Sequence, residues 1–119
     1  MQERQTIKDT KTAEILSEIE VSLKLIFGIK LRKIILFGSY ARNNQDIGSD
    51  MDIMVLIDMD EEEIKKYREQ LLNINVDITT RYGVVLSIIT NNHDYFYEWV
   101  QHMPFFRNVY NEGVEIYGR

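Results

Sequence analysis

Two apolar runs joined by a short connection constrain the fold of this chain more than any other feature. The run KIILFG ends at Gly38, the connection spans Ser39 to Ser49, and Asp50 leads into the run MDIMVLID. Both runs are short and rich in β-branched or large apolar residues, which predicts two buried strands. A parallel crossover needs a dozen or more residues. We therefore expect antiparallel neighbours, with Gly38 placed beside Asp50.

The remaining apolar spacing predicts four helical segments and two further strands. One helix lies between Thr12 and Gly28, and a long one follows from Ile64 to Tyr82. Asn92 is expected to cap a helix whose buried stripe is Phe96, Trp99, Val100 and Met103. Pro104 suits the first turn of the next helix, which runs to about Gly113. The segments VVLSIIT and VEIYG are predicted strands.

The length and composition bound the class of protein. A chain of 119 residues is most simply one domain, residues 1–119. Neither a secretory signal nor a membrane-length apolar run is present, and there is no cysteine, so we expect a soluble protein of the cytoplasm. The formal net charge of −5 argues against an extended nucleic-acid surface. A small anionic ligand remains compatible with that charge.

The segment INVDITT, residues 74–80, admits two interpretations. It continues the helical spacing from Ile64, but it also alternates and is rich in β-branched residues, as a strand would be. We favour the helix because the spacing is unbroken. The choice affects Asp77, which is an ordinary helical aspartate in one case and a strand carboxylate in the other.

Two carboxylates on one strand face are the strongest chemical signal. Residues two apart in a strand share a face, so Asp50 and Asp52 point the same way. At roughly 5 Å and an effective dielectric near 20, their repulsion is about 3 kcal/mol. A hard divalent cation such as Mg²⁺ would offset it. The second pair, Asp58 and Asp60, precedes an acidic helix start, and we interpret Asp60 as a helix N-cap.

The glycine-serine pair distinguishes a metal site from a chance pattern. Gly38 lets the backbone approach a ligand closely, and Ser39 offers a hydroxyl. The turn beginning at Tyr40 can present free amide donors to an anion. Phosphate donors at one strand end and metal-binding carboxylates at the next predict a nucleoside-triphosphate site.

These residues resemble a known family. GSYARN followed by SDMDIMV, with ten residues between Ser39 and Asp50, is similar to the signature of the nucleotidyltransferases of the DNA polymerase beta superfamily. The short length resembles the minimal nucleotidyltransferases of prokaryotes, and the ending PFFRNVYNEGVEIYG is similar to the tail of one branch of them.

The resemblance implies an α/β (α+β) fold, a small mixed sheet flanked by helices. It implies transfer of AMP from ATP with Mg²⁺, Gly38 and Ser39 holding the triphosphate and Asp50 and Asp52 ligating the metal. Small members are commonly encoded beside an all-helical HEPN-type partner. The pair resembles a toxin-antitoxin system in which the transferase is the antitoxin and adenylylates a tyrosine of the toxin.

The chain departs from the family pattern at two places. Asn43 stands where glycine is frequent, and asparagine also tolerates a left-handed backbone. Family enzymes often carry a further carboxylate on the third strand, whereas VVLSIIT offers only Ser87. Asp77 would supply that acid only on the strand interpretation. Arg42 could contact phosphate or form an i,i+4 ion pair with Asp46.

Two alternatives to protein adenylylation follow. The missing acid is compatible with a catalytically weak or inactive nucleotide-binding antitoxin that acts by binding its partner. Transfer to a small molecule such as an aminoglycoside is a third interpretation, which we rank lowest because such enzymes generally have a further domain.

Overall fold

A computed structural model describes all 119 residues as one five-stranded mixed sheet with helices on both faces. This confirms the α/β (α+β) expectation. The strands are β1 (Gln2–Glu3), β2 (Leu31–Phe37), β3 (Met51–Ile57), β4 (Leu86–Asn92) and β5 (Val114–Gly118). The helices are α1 (Thr10–Phe27), α2 (Glu61–Lys65), α3 (Arg68–Tyr82), α4 (His93–Trp99) and α5 (Pro104–Glu112), with short 3₁₀ turns at Arg4–Thr6 and Gly28–Lys30.

The strand order across the sheet is β1-β5-β2-β3-β4. Strands β2 and β3 pair antiparallel, as the short connection predicts, and β5 pairs antiparallel with the other side of β2. The pair β3–β4 is parallel, with helices α2 and α3 in the connection between them. Strand β4 is therefore one edge of the sheet, and the two-residue strand β1 is the other.

Each face of the sheet is covered by its own set of helices. Alternate strand residues such as Ile53 and Val55 pack with the buried stripe of α1 and with α2 and α3 in a cluster of 22 buried residues. The other face, which includes Met54 and Leu56, packs with α4 and α5 in a cluster of seven. Strands β2 and β3 are buried on both faces, which explains their nearly continuous apolar sequence.

Three of the helices begin at a residue whose side chain caps the N-terminus. The carboxylate of Asp9 accepts from the Thr12 amide, and that of Asp60 accepts from the Glu63 amide at 2.9 Å. The Asn92 side chain accepts from the Tyr95 amide at 2.9 Å. The predicted capping roles of Asp60 and Asn92 are confirmed, and Pro104 occupies the first turn of α5 as expected.

Several boundaries differ from the prediction. The long helix is broken at Lys66 and Tyr67 into α2 and α3, although residues 74–80 are helical as favoured. The third strand begins at Leu86 rather than Val84 and continues to Asn92. Trp99, expected in the buried stripe of α4, is 41% exposed. No helix has both the length and the apolar character needed to cross a bilayer.

Candidate active site

Gly38 and Asp52 lie in direct contact where β2 ends and β3 begins. Phe37, the last residue of β2, is the register partner of Asp52 on β3. Gly38 follows Phe37 and therefore lies beside the Asp52 carboxylate. Gly38 has a φ of +75°, and a Cβ built on it would overlap the Asp52 Oδ2 atom. The Asp52 carboxylate occupies the space that a side chain at position 38 would need. The positive φ and this lack of space both select glycine.

The two aspartates lie close enough to interact electrostatically. Asp52 is half-buried in the sheet, whereas Asp50 is exposed and immediately precedes β3. Burial raises the pKa of the Asp52 carboxyl above its ordinary value, and the negative charge of Asp50 raises it further. A divalent cation would remove both penalties, because it favours the ionised form of both groups.

A tight turn positions Asp50. The Ser49 hydroxyl accepts a hydrogen bond from the Asp46 amide at 2.9 Å, and the Ser49 amide donates to the Asp46 carbonyl at 3.0 Å. These reciprocal bonds close the end of the connection between β2 and β3. The aspartate that follows is thereby held at the start of the strand.

The turn after Gly38 leaves amide donors free. The amides of Ala41 and Arg42 donate to the Gly38 carbonyl, but those of Ser39 and Tyr40 donate to no protein group. The turn closes through Asn43, whose φ of +57° is the left-handed conformation anticipated from its sequence position. Two unpaired amides beside the Ser39 hydroxyl make a concave donor set of the kind that binds phosphate oxygens.

Arg42 is the cation nearest this site. Its guanidinium lies 3.5 Å from the Glu112 carboxylate, a contact in which both side chains are about half exposed. Its charge also partly offsets the rise in the pKa of Asp52. The predicted ion pair between Arg42 and Asp46 is therefore wrong. An exposed pair contributes little stability, so an incoming anion can compete for the guanidinium.

A third carboxylate is not present beside the pair. Ser87 is the register partner of Asp52 on β4, so it occupies the position where a strand acid would stand. Asp77 lies on α3, where Arg81 binds its carboxylate at 2.8 Å. The charged groups that shift the pKa of Asp52 are Asp50 and Arg42 alone. The site is thus built on two carboxylates.

A second cluster lies at the far end of β3, beside the end of β4. Asp58 follows β3, His93 and Asp94 follow β4, and their ligand atoms lie within 4.8 Å of one another. Sequence reasoning missed this cluster, although the parallel register of β3 and β4 would have indicated it. Arg32 lies 3.2 Å from the Asp58 carboxylate and already balances its charge. The Asp50–Asp52 pair has no comparably close cation.

The donor set at the glycine-serine turn fits a hard divalent cation. Its oxygens come from carboxylates, and Mg²⁺ is typically bound by one or two carboxylates together with substrate phosphates. The adjacent amides and hydroxyl supply phosphate donors. This arrangement can hold a metal-bound triphosphate with few side chains.

Comparisons with known proteins agree with this geometry. A sequence model of the family described as nucleotidyltransferase domain matches residues 10–97. A protein of Methanocaldococcus jannaschii that carries the provisional name protein adenylyltransferase is 31% identical over 102 residues, which cover 86% of this chain and 94% of the relative. A second protein of the same organism and provisional name is 31% identical over 103 residues, covering 87% and 96%.

Solved structures support the same fold. A chain from a crystal structure of a toxin-antitoxin with AMP-PNP has a TM-score of 0.57 at 20% identity, covering 87% of this chain and 73% of that chain. A chain from the complex of tri-AMPylated Shewanella oneidensis HEPN toxin with MNT antitoxin has a TM-score of 0.53 at 18% identity, covering 89% and 71%. At these identities the likeness concerns the arrangement of helices and strands.

Proposed function

This chain belongs to the nucleotidyltransferase domain family, and from that premise we propose that it transfers AMP from ATP to a tyrosine of a HEPN-type toxin, for which it is the cytoplasmic antitoxin. Residues 1–119 act as one nucleotidyltransferase domain. The observation that carries the proposal is the contact between Gly38 and the Asp52 carboxylate. This contact supports a single site in which phosphate donors adjoin metal-binding oxygens.

Different residues bind the triphosphate and the metal ion. Gly38 allows the triphosphate to approach the backbone, and the Ser39 hydroxyl and amide hold its oxygens, together with the Tyr40 amide. Asp50 and Asp52 would hold Mg²⁺, which would neutralise charge on the phosphates and favour ionisation of the acceptor hydroxyl. Arg42 moves from Glu112 to the phosphate tail.

The reaction exchanges one phosphorus–oxygen bond for another. The acceptor oxygen bonds to the α-phosphorus while the bond to the bridging oxygen breaks, and pyrophosphate leaves in line. With no third carboxylate beside the pair, the acceptor's proton passes to water. The protein contributes mainly positioning and fixed charge, which is why few side chains are needed.

One observation favours a second candidate function. Ser87 stands opposite Asp52 on β4, and Asp77 is bound by Arg81, so a strand carboxylate that could accept the proton is missing. A catalytically weak antitoxin that binds nucleotide and neutralises its partner by occlusion is compatible with that site. The two candidates differ in whether AMP becomes covalently attached.

Label transfer tests the proposal. The chain is incubated with Mg²⁺, ATP labelled on the α-phosphate and the product of the neighbouring gene, which the proposed function expects to be a HEPN-type protein. We expect covalent label on a tyrosine of the partner, loss of label with a chelator, and none when the γ-phosphate carries the label. A stable complex in which the partner stays unlabelled would establish the occlusion candidate instead.

Restoring a carboxylate at Ser87 is expected to strengthen the metal site. In Ser87→Asp a third acid faces Asp50 and Asp52, so the variant should be less stable than wild type without metal and should gain more from added Mg²⁺. Thermal denaturation across a Mg²⁺ titration measures both. The control is Asn73→Asp, which adds the same charge at an exposed position on α3, away from both acidic clusters. Equal Mg²⁺ responses of the two variants would contradict the assignment.

A further inference from the structure

Strand β4 presents an edge that is only partly covered. The Asn75 side-chain amide donates to the Leu86 carbonyl at 2.7 Å, and its oxygen accepts from the Leu86 amide at 3.1 Å. The carbonyl of the preceding residue, Val85, instead accepts from the amide of Met51, the first residue of β3. Leu86 therefore directs its backbone groups away from the sheet.

The same orientation recurs two and four residues further along. Backbone groups of successive strand residues point to alternate sides, so Ile88 and Thr90 also face outward. Their amides and carbonyls have no hydrogen-bond partner outside the sheet ladder. Such groups are satisfied most directly by another extended backbone. The free edge is thus a template for one short added strand.

A groove of about 900 Å³ runs beside this edge. Its walls are Leu71 and Leu72 of α3 on one side and Ile88 and Thr90 of β4 on the other, with Arg68 and Tyr95 among the residues at its margins. Leu72 is 59% exposed there. Side chains on one face of an added strand would enter this groove and bury its aliphatic walls.

The other face of an added strand would point toward the active site. Ser87 is level with Asp52, and its side chain lies on the same face of the sheet. A strand paired to β4 would lie roughly 10 Å from β3, two strand spacings away. Among hydroxyl-bearing side chains, tyrosine carries its oxygen furthest from the backbone, and the small Ser87 side chain leaves the path to Asp52 open.

We propose that the β4 edge and its groove bind an extended loop or terminal segment of the otherwise helical acceptor protein as a sixth strand, with a tyrosine level with Ser87 directed at the Asp50–Asp52 pair. This inference rests on the proposed function and specifies how its substrate is presented. Alternate side chains of the segment anchor in the groove, and the intervening ones face the site.

Two variants test the docking surface without altering the proposed nucleotide site. Leu72→Glu places a charge in the groove, and Thr90→Pro removes an outward amide without removing a bond to β3. The matched control is Leu25→Glu, since Leu25 is an 83% exposed leucine on α1. The probe is the product of the neighbouring gene, which the proposed function expects to be a HEPN-type protein. Its Kd is measured by titration, its labelling from α-labelled ATP is followed, and Mg²⁺-ATP binding is measured separately.

We expect Leu72→Glu and Thr90→Pro to weaken partner binding by about tenfold or more, with unchanged Mg²⁺-ATP binding, while Leu25→Glu matches wild type. Amide exchange in the wild-type chain gives a readout that needs no variant. Ile88 and Thr90 should become protected when the partner is added, whereas Ser87 and Ile89 are protected already. Wild-type affinity in both groove variants, with no new protection at Ile88 and Thr90, would overturn the proposal.

The remaining outcomes separate this inference from the proposed function. Partner binding that depends on Leu72, without covalent label, supports the docking surface and overturns adenylylation. Label transfer to the partner that neither groove variant changes supports adenylylation and overturns the docking surface. A wild-type chain that dimerises alone, and becomes monomeric in Leu72→Glu, assigns the edge to a second copy and overturns the proposal. A partner that neither binds nor is labelled overturns both.

Discussion

Asp52→Asn is expected to abolish AMP transfer while making the protein more stable. Loss of one of two metal-binding carboxylates should lower the rate by about a thousandfold or more, which is about 4 kcal/mol of transition-state stabilisation. The folded structure should tolerate the change, because asparagine has the same shape and removes a half-buried charge. Transfer of α-labelled AMP and thermal denaturation measure the two effects on the same preparation.

The gain in stability has a defined pH dependence. Burial and the charge of Asp50 hold the pKa of Asp52 above its ordinary value. The folded state then binds this proton more tightly than the unfolded state does, so its stability falls as pH rises through that raised pKa. The asparagine variant lacks this decline. Its advantage in Tm over wild type should be small in acid and should grow toward neutral pH.

The controls isolate the carboxylate. Asp46→Asn removes one charge from the same connection without touching the pair, and it should leave both activity and the Mg²⁺ response of the Tm unchanged. Added Mg²⁺ should raise the Tm of wild type more than that of Asp52→Asn. An Asp52→Asn variant that transfers AMP at the wild-type rate would overturn the assignment of this residue.

Gly38→Ala is expected to inactivate the site by displacing Asp52. The added Cβ would overlap Asp52 Oδ2, so the carboxylate must rotate or the strands must separate. A displacement of about 1 Å at a reacting centre can cost roughly a hundredfold in rate. The backbone conformation at φ +75° adds about 1–2 kcal/mol of strain for any L-residue. Both the rate of label transfer and the free energy of unfolding should fall.

Gly83→Ala separates strain from displacement. Gly83 has a closely similar φ of +72°, but a Cβ there would meet nothing within 4 Å. Its alanine variant should lose only the backbone-strain contribution, about 1–2 kcal/mol in chemical denaturation, and should keep full activity. If the two variants lost activity equally, the contact between Gly38 and Asp52 would have no part in catalysis.

The proximity of Gly38 and Asp52 was the most predictable feature of the molecule because the two residues are close in sequence. Gly38 and Asp52 flank one short connection, which is barely long enough for a parallel crossover and therefore favours antiparallel neighbours. Asn43 could likewise be assigned a left-handed backbone from residue type. The helical spacing through Ile74 and Ile78 resolved the ambiguous segment correctly, since both are buried on one face of α3.

What the sequence did not reveal depends on contacts between distant segments. Arg42 pairs with Glu112, because β5 starts beside the end of β2, and no local pattern marks that pairing. The strand β1 has only two residues and exists through its pairing with β5. Trp99 has helical spacing typical of a buried stripe, but it is the last residue of α4 and stays 41% exposed.

The two hydrogen bonds between the Asn75 side chain and the Leu86 backbone also affect the tendency of the chain to aggregate. A fully bare edge strand invites unlimited stacking of identical chains, and fibril-forming segments usually need six or seven contiguous residues. By occupying the first outward position of β4, one amide side chain shortens the vacant stretch to Ile88 and Thr90 and their immediate surroundings. The vacant stretch therefore accommodates one short added strand and is less able to template the stacking of identical chains.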